Sequence, residues 1–291
     1  MHHRQRSCSQ IWTVVAATLF TLTLSASDMA LLVGEVHEDW YDEDKLEADV
    51  DTIIVETAGQ FASVRTFDHA GIEQLQVWVE ANLRDGELDI IWLNGSMPRF
   101  LWPKGQPKTL ARQWLDTGNM FINVGQPFAQ QSWECDGGCE ENGPQAAADI
   151  LGLSPDLFVS INDVVKVGGP ALNIKRTATG TEFMPRLCRR PLTSIVMATA
   201  EVDGDWTVAA AFATWKGDEP GEVADPIVIR NRRTNGYLCI ISQTLGPRRC
   251  ERGEATADFI NNWVIKNAVG FGVAAAGKLP AKWGAIKSRS M

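Results

Sequence analysis

Histidine is nearly absent from this chain. Four occur in 291 residues, two of them at positions 2 and 3, and the other two, His37 and His69, both lie before residue 70. An enzyme whose Cys or Ser nucleophile relies on a late histidine is therefore excluded, because the base must sit within hydrogen-bond reach of the group it activates. Long apolar runs are also missing. Ile11–Leu24 is shorter than the roughly 20 residues needed to span a bilayer, and nothing after it comes closer. A basic excess is missing too, so general nucleic-acid binding is not expected.

The N-terminus has the order of a secretory signal peptide. His2, His3, Arg4 and Arg6 precede the apolar run, and Ser25-Ala26-Ser27 follows it. Cleavage is expected near Ala26, with Leu24 at the −3 position the one departure from the pattern. Residues 1–26 are thus read as the signal and 27–269 as a single α/β domain. Residues 270–291, small, basic and Gly/Ala-rich, read as an extended tail. The protein is expected to be secreted or periplasmic, with no membrane span after cleavage.

Without the signal, 25 Lys and Arg face 36 Asp and Glu. The imbalance is uneven: residues 226–291 carry eleven basic and three acidic side chains. An anion site built from Arg230, Arg232, Arg233, Arg248, Arg249 and Arg252 is one reading of that half. Solvated charge on two halves of one domain is the simpler one. The acidic run Glu35–Glu47 has neither the spacing nor the central glycine of a calcium loop, and no metal is expected.

Five cysteines follow the signal, in a compartment that permits disulfides. Cys135 and Cys139 flank Asp136-Gly137-Gly138 and form the best candidate pair, since the glycines let the loop close. A zinc site there lacks a second cysteine pair and a nearby histidine. Cys188 and Cys250 are a further candidate pair. Cys239, inside the apolar stretch Leu238–Ile241, reads as a buried free thiol.

Apolar runs alternate with helical stripes. Thr52–Glu56 reads as the first strong strand and is followed by a helix with Ile72, Leu75, Val79 and Leu83 on one side. Leu88–Leu93 reads as the next strand. A helix over Leu110–Asp116, capped by Thr109 and closed by Gly118, leads into a strand at Met120–Val124. Strands of this kind imply a largely parallel sheet covered on both faces, a three-layer α/β sandwich. An irregular insertion is expected near 130–190. Beyond it, one hairpin is expected from Ser194–Ala200 and Trp206–Trp215, and another from Ile227–Asn231 and Tyr237–Ser242 around Asn235-Gly236. The last helix is expected over Ala255–Val269. Trp78, Trp92, Trp114, Trp206 and Trp263 fall inside these elements and read as core.

This order resembles the class I glutamine amidotransferase-like superfamily, in particular its ThuA-like branch. The likeness rests on Glu56-Thr57, Asp89–Pro98, Trp114–Met120, Gly125-Gln126, and Asn235–Ser242 with Arg252-Gly253-Glu254. It spans roughly residues 50–268 and implies a flavodoxin-like or amidotransferase-like sheet. The family's chemistry does not transfer. Gln126-Pro127 stands where the resemblance implies the elbow cysteine, and Ser242-Gln243-Thr244 where it implies His-x-Glu. Glutaminase activity is therefore not expected.

In open α/β sheets, ligands bind beyond the carboxyl ends of the strands. Glu56, Thr57, Asn94, Ser96, Gln126, Ser242 and Gln243 are expected there, with Arg99 adding one positive charge. This kit of amides, hydroxyls and a carboxylate suits holding a sugar or amino-acid-like ligand better than cleaving a bond. The alternative for each of these residues is a turn packed against the sheet. Three functions stay open: a non-catalytic domain binding a small polar ligand or an envelope partner, a ThuA-like carbohydrate hydrolase using Glu56, and an interaction module acting through Lys278, Lys282, Lys287 and Arg289. No cofactor is expected.

Overall fold

The computed structural model describes residues 27–33, 43–94, 96–106, 108–125, 127–133, 140–160, 174–189, 193, 195–243 and 251–268. Its centre is a seven-stranded sheet. Five strands are parallel: β1 (Asp28–Leu32), β2 (Ser63–Phe67), β3 (Ile90–Leu93), β5 (Met120–Val124) and β15 (Tyr237–Ile241), in the order β2-β1-β3-β5-β15. By rank in the chain this is 2-1-3-4-5, the flavodoxin-like order. Two antiparallel strands extend the sheet beyond β15: β14 (Ile227–Asn231), then β11 (Trp206–Ala211).

Alternate side chains feed two separate cores. Ala30, Leu32, Ile91, Leu93, Phe121, Leu238 and Ile240 point to one face. There they meet α2 (Ile72–Asn82), α3 (Leu110–Asp116) and α4 (Pro144–Leu151). Met29, Leu31, Ile90, Trp92, Ile122, Val124, Cys239 and Ile241 point to the other. That face is covered by α1 (Glu43–Glu56) and the C-terminal helix. The chain is thus a three-layer α/β sandwich, with strands buried on both faces. An aromatic row, Phe67–Trp78–Trp114–Phe121–Phe128, crosses the first core at centroid spacings of 5.4 to 6.3 Å.

The run Thr52–Glu56 is not a strand. It is the second half of α1, and β1 is the first strand. Leu46, Val50, Ile53 and Thr57 recur at helical spacing and are buried, while Ile54 and Val55 are 36% and 72% exposed. One-sided burial at that period is what a surface helix needs, and it outweighs the β-branched composition of Thr-Ile-Ile-Val.

Other expectations hold closely. Thr109 Oγ1 accepts the Arg112 N–H at 3.1 Å and caps α3. The β14–β15 hairpin turns on Asn235, whose φ is 62°. The expected hairpin of 194–200 with 206–215 does not form. β10 (Ile195–Ala198) pairs with β8 (Phe158–Ser160) and β13 (Val223–Ala224), whereas β11 pairs with β14. β12 (Ala213–Thr214) and β9 (Lys175–Arg176) complete that antiparallel sheet, in the order β8-β10-β13-β12-β9. The described part of the expected insertion thus holds strands of this sheet. A third sheet, β4 (Ser96–Pro98), β6 (Gln131–Trp133) and β7 (Glu140–Glu141), sits on the chain that leaves β3 and β5.

The last helix begins earlier than expected, at Arg252. It runs as α over Arg252–Asp258, as π over Phe259–Val264, and as α again over Ile265–Asn267. Among the described residues, no helix is long and apolar enough to cross a membrane.

Candidate functional site: the carboxyl edge of the parallel sheet

At the carboxyl edge the described ends of the parallel strands are Val33, Asp68, Asn94, Gly125 and Ser242-Gln243. Asn94 is 5% exposed, Ser96 4%, Ser242 2% and Gln243 1%, so these polar residues form a wall inside the protein. β15 and β3 flank β5, which separates Ser242 and Asn94 by two strand spacings, roughly 10 Å.

A buried carboxyl organises the β15 side. Asp225, fully buried, precedes β14 at this same edge because β14 runs antiparallel to β15. Its Oδ1 accepts the Ser242 N–H at 2.7 Å and its Oδ2 accepts Gln243 Nε2 at 2.7 Å. Burial pushes its pKa up to about 7, against the opposing pull of the Ser242 amide, Thr193 and Arg252. Arg252, 3% exposed, opens the last helix and donates its Nε to the Gln243 carbonyl at 2.6 Å. Gly253 N–H in turn donates to Asp49 Oδ1 of α1 at 2.7 Å, which seats the helix start.

Some polar atoms of this wall are left over. Ser242 Oγ, Gln243 Oε1 and, on β6, Gln131 Oε1 are buried without a hydrogen-bond partner. Buried polar atoms are satisfied in the great majority of cases, so these three orphans are unusual.

The structure separates the expected site residues. Asn94, Ser96, Ser242 and Gln243 lie at the carboxyl edge. Arg99 follows β4 and is exposed. Gln126 lies outside the described residues, as do Cys135, Cys139 and the tail lysines and arginine; Cys188 is disulfide-bonded. Glu56 and Thr57 are elsewhere. As the end of the crossover helix between β1 and β2, they lie at the amino edge, where Ala62 N–H meets the Ser27 carbonyl just before β2. Glu56 is held there by Arg186, whose Nη1 donates to Oε1 at 2.7 Å. That contact keeps its carboxyl below the usual range. Thr57 Oγ1 donates back to the Ile53 carbonyl at 2.7 Å. Both errors follow from taking the end of a helix for the end of a strand.

Met97 in β4, and Leu101 and Trp102 in the loop after it, are buried. The described arginines of the basic half do not converge on one place. Arg230 contacts Asn235 and Arg233 pairs with Asp205 around the β14–β15 turn, while Arg252 is at the opposite edge. Arg248 and Arg249 lie outside the described residues.

Asp225 and Arg252, the centre of the wall, were not among the residues expected at this edge. Their signal was present as a charged residue directly flanking an apolar strand and another opening an apolar helix.

His69, the histidine among the described residues, follows β2. β2 is four strand spacings from β15, roughly 19 Å, too far for a proton transfer to any group at Ser242. No group of three or more His, Cys, Asp or Glu among the described residues is placed to hold a metal ion. An open groove of about 520 Å³ lies at the other end of the sheet, between α2 and the starts of β1 and β2, lined by Asp28, Arg65, Glu73 and Trp78 among others. In comparisons with protein-family models and with curated proteins, this chain matches none.

Proposed function

We propose that this chain is an exported, non-catalytic α/β domain of the amidotransferase-like kind that binds a small polar ligand, a sugar or an amino-acid-like molecule, at the carboxyl edge of its parallel sheet. The observation that carries this reading is the row of buried, unpartnered acceptors and hydroxyls at Ser242, Gln243 and Gln131 beside the Asp225 carboxyl. A polyol or an amino acid supplies the N–H and O–H donors that such a row lacks. The 2-1-3-4-5 strand order supports the same edge, since ligands of such sheets lie there. The carbohydrate-hydrolase alternative loses its only named acid, because Glu56 is at the opposite edge in an ion pair.

The test is a thermal-shift screen of the processed protein against monosaccharides, disaccharides and amino acids. A ligand at about 100 times its Kd adds roughly 2.7 kcal/mol of stability. A hit that survives Glu56→Gln and disappears in Gln243→Ala and Asn94→Ala places the ligand at this edge. Folded protein that answers to none of these compounds rejects the small-ligand reading and moves the search to an envelope partner.

A further inference from the structure

Asp89 precedes β3 at the amino edge of the sheet and is fully buried. Its Oδ1 accepts the Asp28 backbone N–H at 2.6 Å, and its own N–H donates to Asn119 Oδ1 at 2.9 Å. Its second oxygen, Oδ2, is buried and has no partner. Among the described residues, no cation acts on the carboxyl. The groups acting on it, besides the desolvation that dominates, are that one backbone N–H and three further carboxylates, Asp85, Asp28 and Glu87. A buried carboxyl half-satisfied and surrounded by like charge is costly unless something positive arrives.

What lies next to it is Ser27. This residue is 3% exposed, its carbonyl accepts the Ala62 N–H at 2.9 Å, and its Oγ is buried without a partner. It is the residue immediately before the amide that already binds Asp89. Consecutive Cα atoms are about 3.8 Å apart, so the Ser27 nitrogen lies within roughly 6 Å of the carboxylate. Ser27 is also the residue that the signal-peptide reading places first in the processed chain.

We propose that removal of the signal peptide at the Ala26–Ser27 bond creates the missing partner: the new α-ammonium of Ser27 pairs with Asp89 Oδ2 and locks β1 into the sheet. The inference rests on the export reading. In the step itself, a signal peptidase adds water across the Ala26–Ser27 amide. The C–N bond breaks, the water oxygen stays on Ala26 as part of its carboxylate, and the Ser27 nitrogen takes both of the water's protons to become an ammonium. The unprocessed chain has an uncharged amide at that nitrogen and leaves Asp89 uncompensated, so the domain is completed only once it has been exported. Burial puts the unpaired Asp89 carboxyl at about 8, and an ammonium beside it reverses that shift, so the pair is charged at neutral pH.

The experiment starts with the full chain expressed in an exporting bacterial host and the N-terminus of the recovered protein read by mass spectrometry. Ser27 as the first residue is the expected result. The α-amine is then challenged with an amine-acetylating reagent near pH 7.5, where the free peptide Ser-Asp-Met-Ala-Leu reacts readily. Pairing predicts acetylation at least tenfold slower than in the peptide, and a rate restored in Asp89→Asn. Should Asp89→Asn fail to fold, a chain with one Gly inserted between Ala26 and Ser27 carries its ammonium past the carboxylate. That chain is expected to acetylate at the peptide rate and to melt several degrees lower. A recovered chain that keeps residues 1–26, or starts elsewhere, overturns the export step together with the inference. A Ser27 amine as reactive as the peptide overturns the pairing alone and leaves the export reading standing.

Discussion

Arg186 grips Asp258 with both its backbone and its side chain. The Arg186 N–H donates to Oδ2 at 2.9 Å, while Nε and Nη2 donate to Oδ1 at 2.9 and 2.6 Å. The same guanidinium reaches Glu56 at the end of α1, so one side chain ties the segment after Ala178–Phe183 to both helices on that face. Asp258 is 6% exposed and Arg186 about a third. Removing the cation therefore leaves a nearly buried carboxylate short of donors, which costs more than a surface ion pair and less than a fully buried one. Arg186→Met is expected to cost about 2 kcal/mol, a fall of roughly 4–8 °C in Tm by calorimetry.

Glu56→Gln isolates the structural role of this carboxylate. The carboxylate is about a third exposed, and its loss is expected to cost only about 0–1 kcal/mol. Because Arg186 lowers the folded-state pKa, the contribution is present above the ordinary value near 4.3 and disappears as pH falls below it. Wild type and Glu56→Gln should thus converge in denaturant midpoint at about pH 3 and differ slightly at pH 7. A difference that grows on acidification contradicts the ion pair.

Asp225 predicts the opposite slope. Its carboxyl is raised by burial to about 7, above the value of about 3.9 for an exposed aspartate. The folded state then binds a proton that the unfolded chain has released. The stabilisation is full below about pH 4 and is lost as pH rises to about 7, on the order of 4 kcal/mol at most. Asn keeps the shape and cannot ionise, and rotating the Gln243 amide lets its unpartnered Oε1 accept from the new Nδ2. Asp225→Asn is expected to fold and to flatten stability between pH 4 and 7, measured by urea midpoints at fixed ionic strength. An unchanged slope would place the titration elsewhere.

Local signals in the sequence located the elements whose reasons are local. Thr109 before an amphipathic turn gave α3, Asn235-Gly236 gave the last hairpin, and uninterrupted apolar runs gave β3 and β5. Thr52–Glu56 misled because Thr, Ile and Val favour strands, although Leu46, Val50, Ile53 and Thr57 carry the helical period. β1 was hidden as Asp28–Leu32 at the heels of the apolar signal run. The partners of β10 and β11 depend on contacts between distant segments, which no window of sequence contains. The candidate site divided along the same line. Asn94, Ser96, Ser242 and Gln243 fell where strand ends put them, whereas the Asp225–Gln243 and Arg252–Gln243 contacts appear only once β14, β15 and the last helix are assembled.

Gly236 illustrates a constraint of that assembly. It follows the positive-φ Asn235 in the hairpin turn, and a Cβ on it would lie 2.0 Å from the Leu115 carbonyl oxygen and 2.7 Å from its carbon. Those are backbone atoms of α3, so neither side can yield without moving an element. Gly236→Ala is expected to cost 3 kcal/mol or more, at the diagnostic end of single substitutions. Gly105→Ala is the control: its φ of +80° strains alanine, but a Cβ there meets nothing within 4 Å, and the cost is expected near 1 kcal/mol. Equal losses in the two variants would mean that the turn does not dock on α3 as described.

Cys239 offers a probe of the central sheet that needs no mutation. It is a free cysteine, 0% exposed, in β15, with Ile122 beside it on β5 and Val228 on β14. Desolvation pushes its thiol well above the ordinary pKa, and the nearby Asp225 adds to the rise. Only the thiolate attacks disulfide reagents, so the native protein should leave Cys239 unmodified by an aromatic disulfide over hours at pH 8. Because β15 is paired on both sides and packed on both faces, exposure requires global opening. Labelling in rising urea should therefore follow the main unfolding transition. Modification in buffer alone would show that β15 opens locally and that the wall built on Ser242 and Gln243 is not rigid.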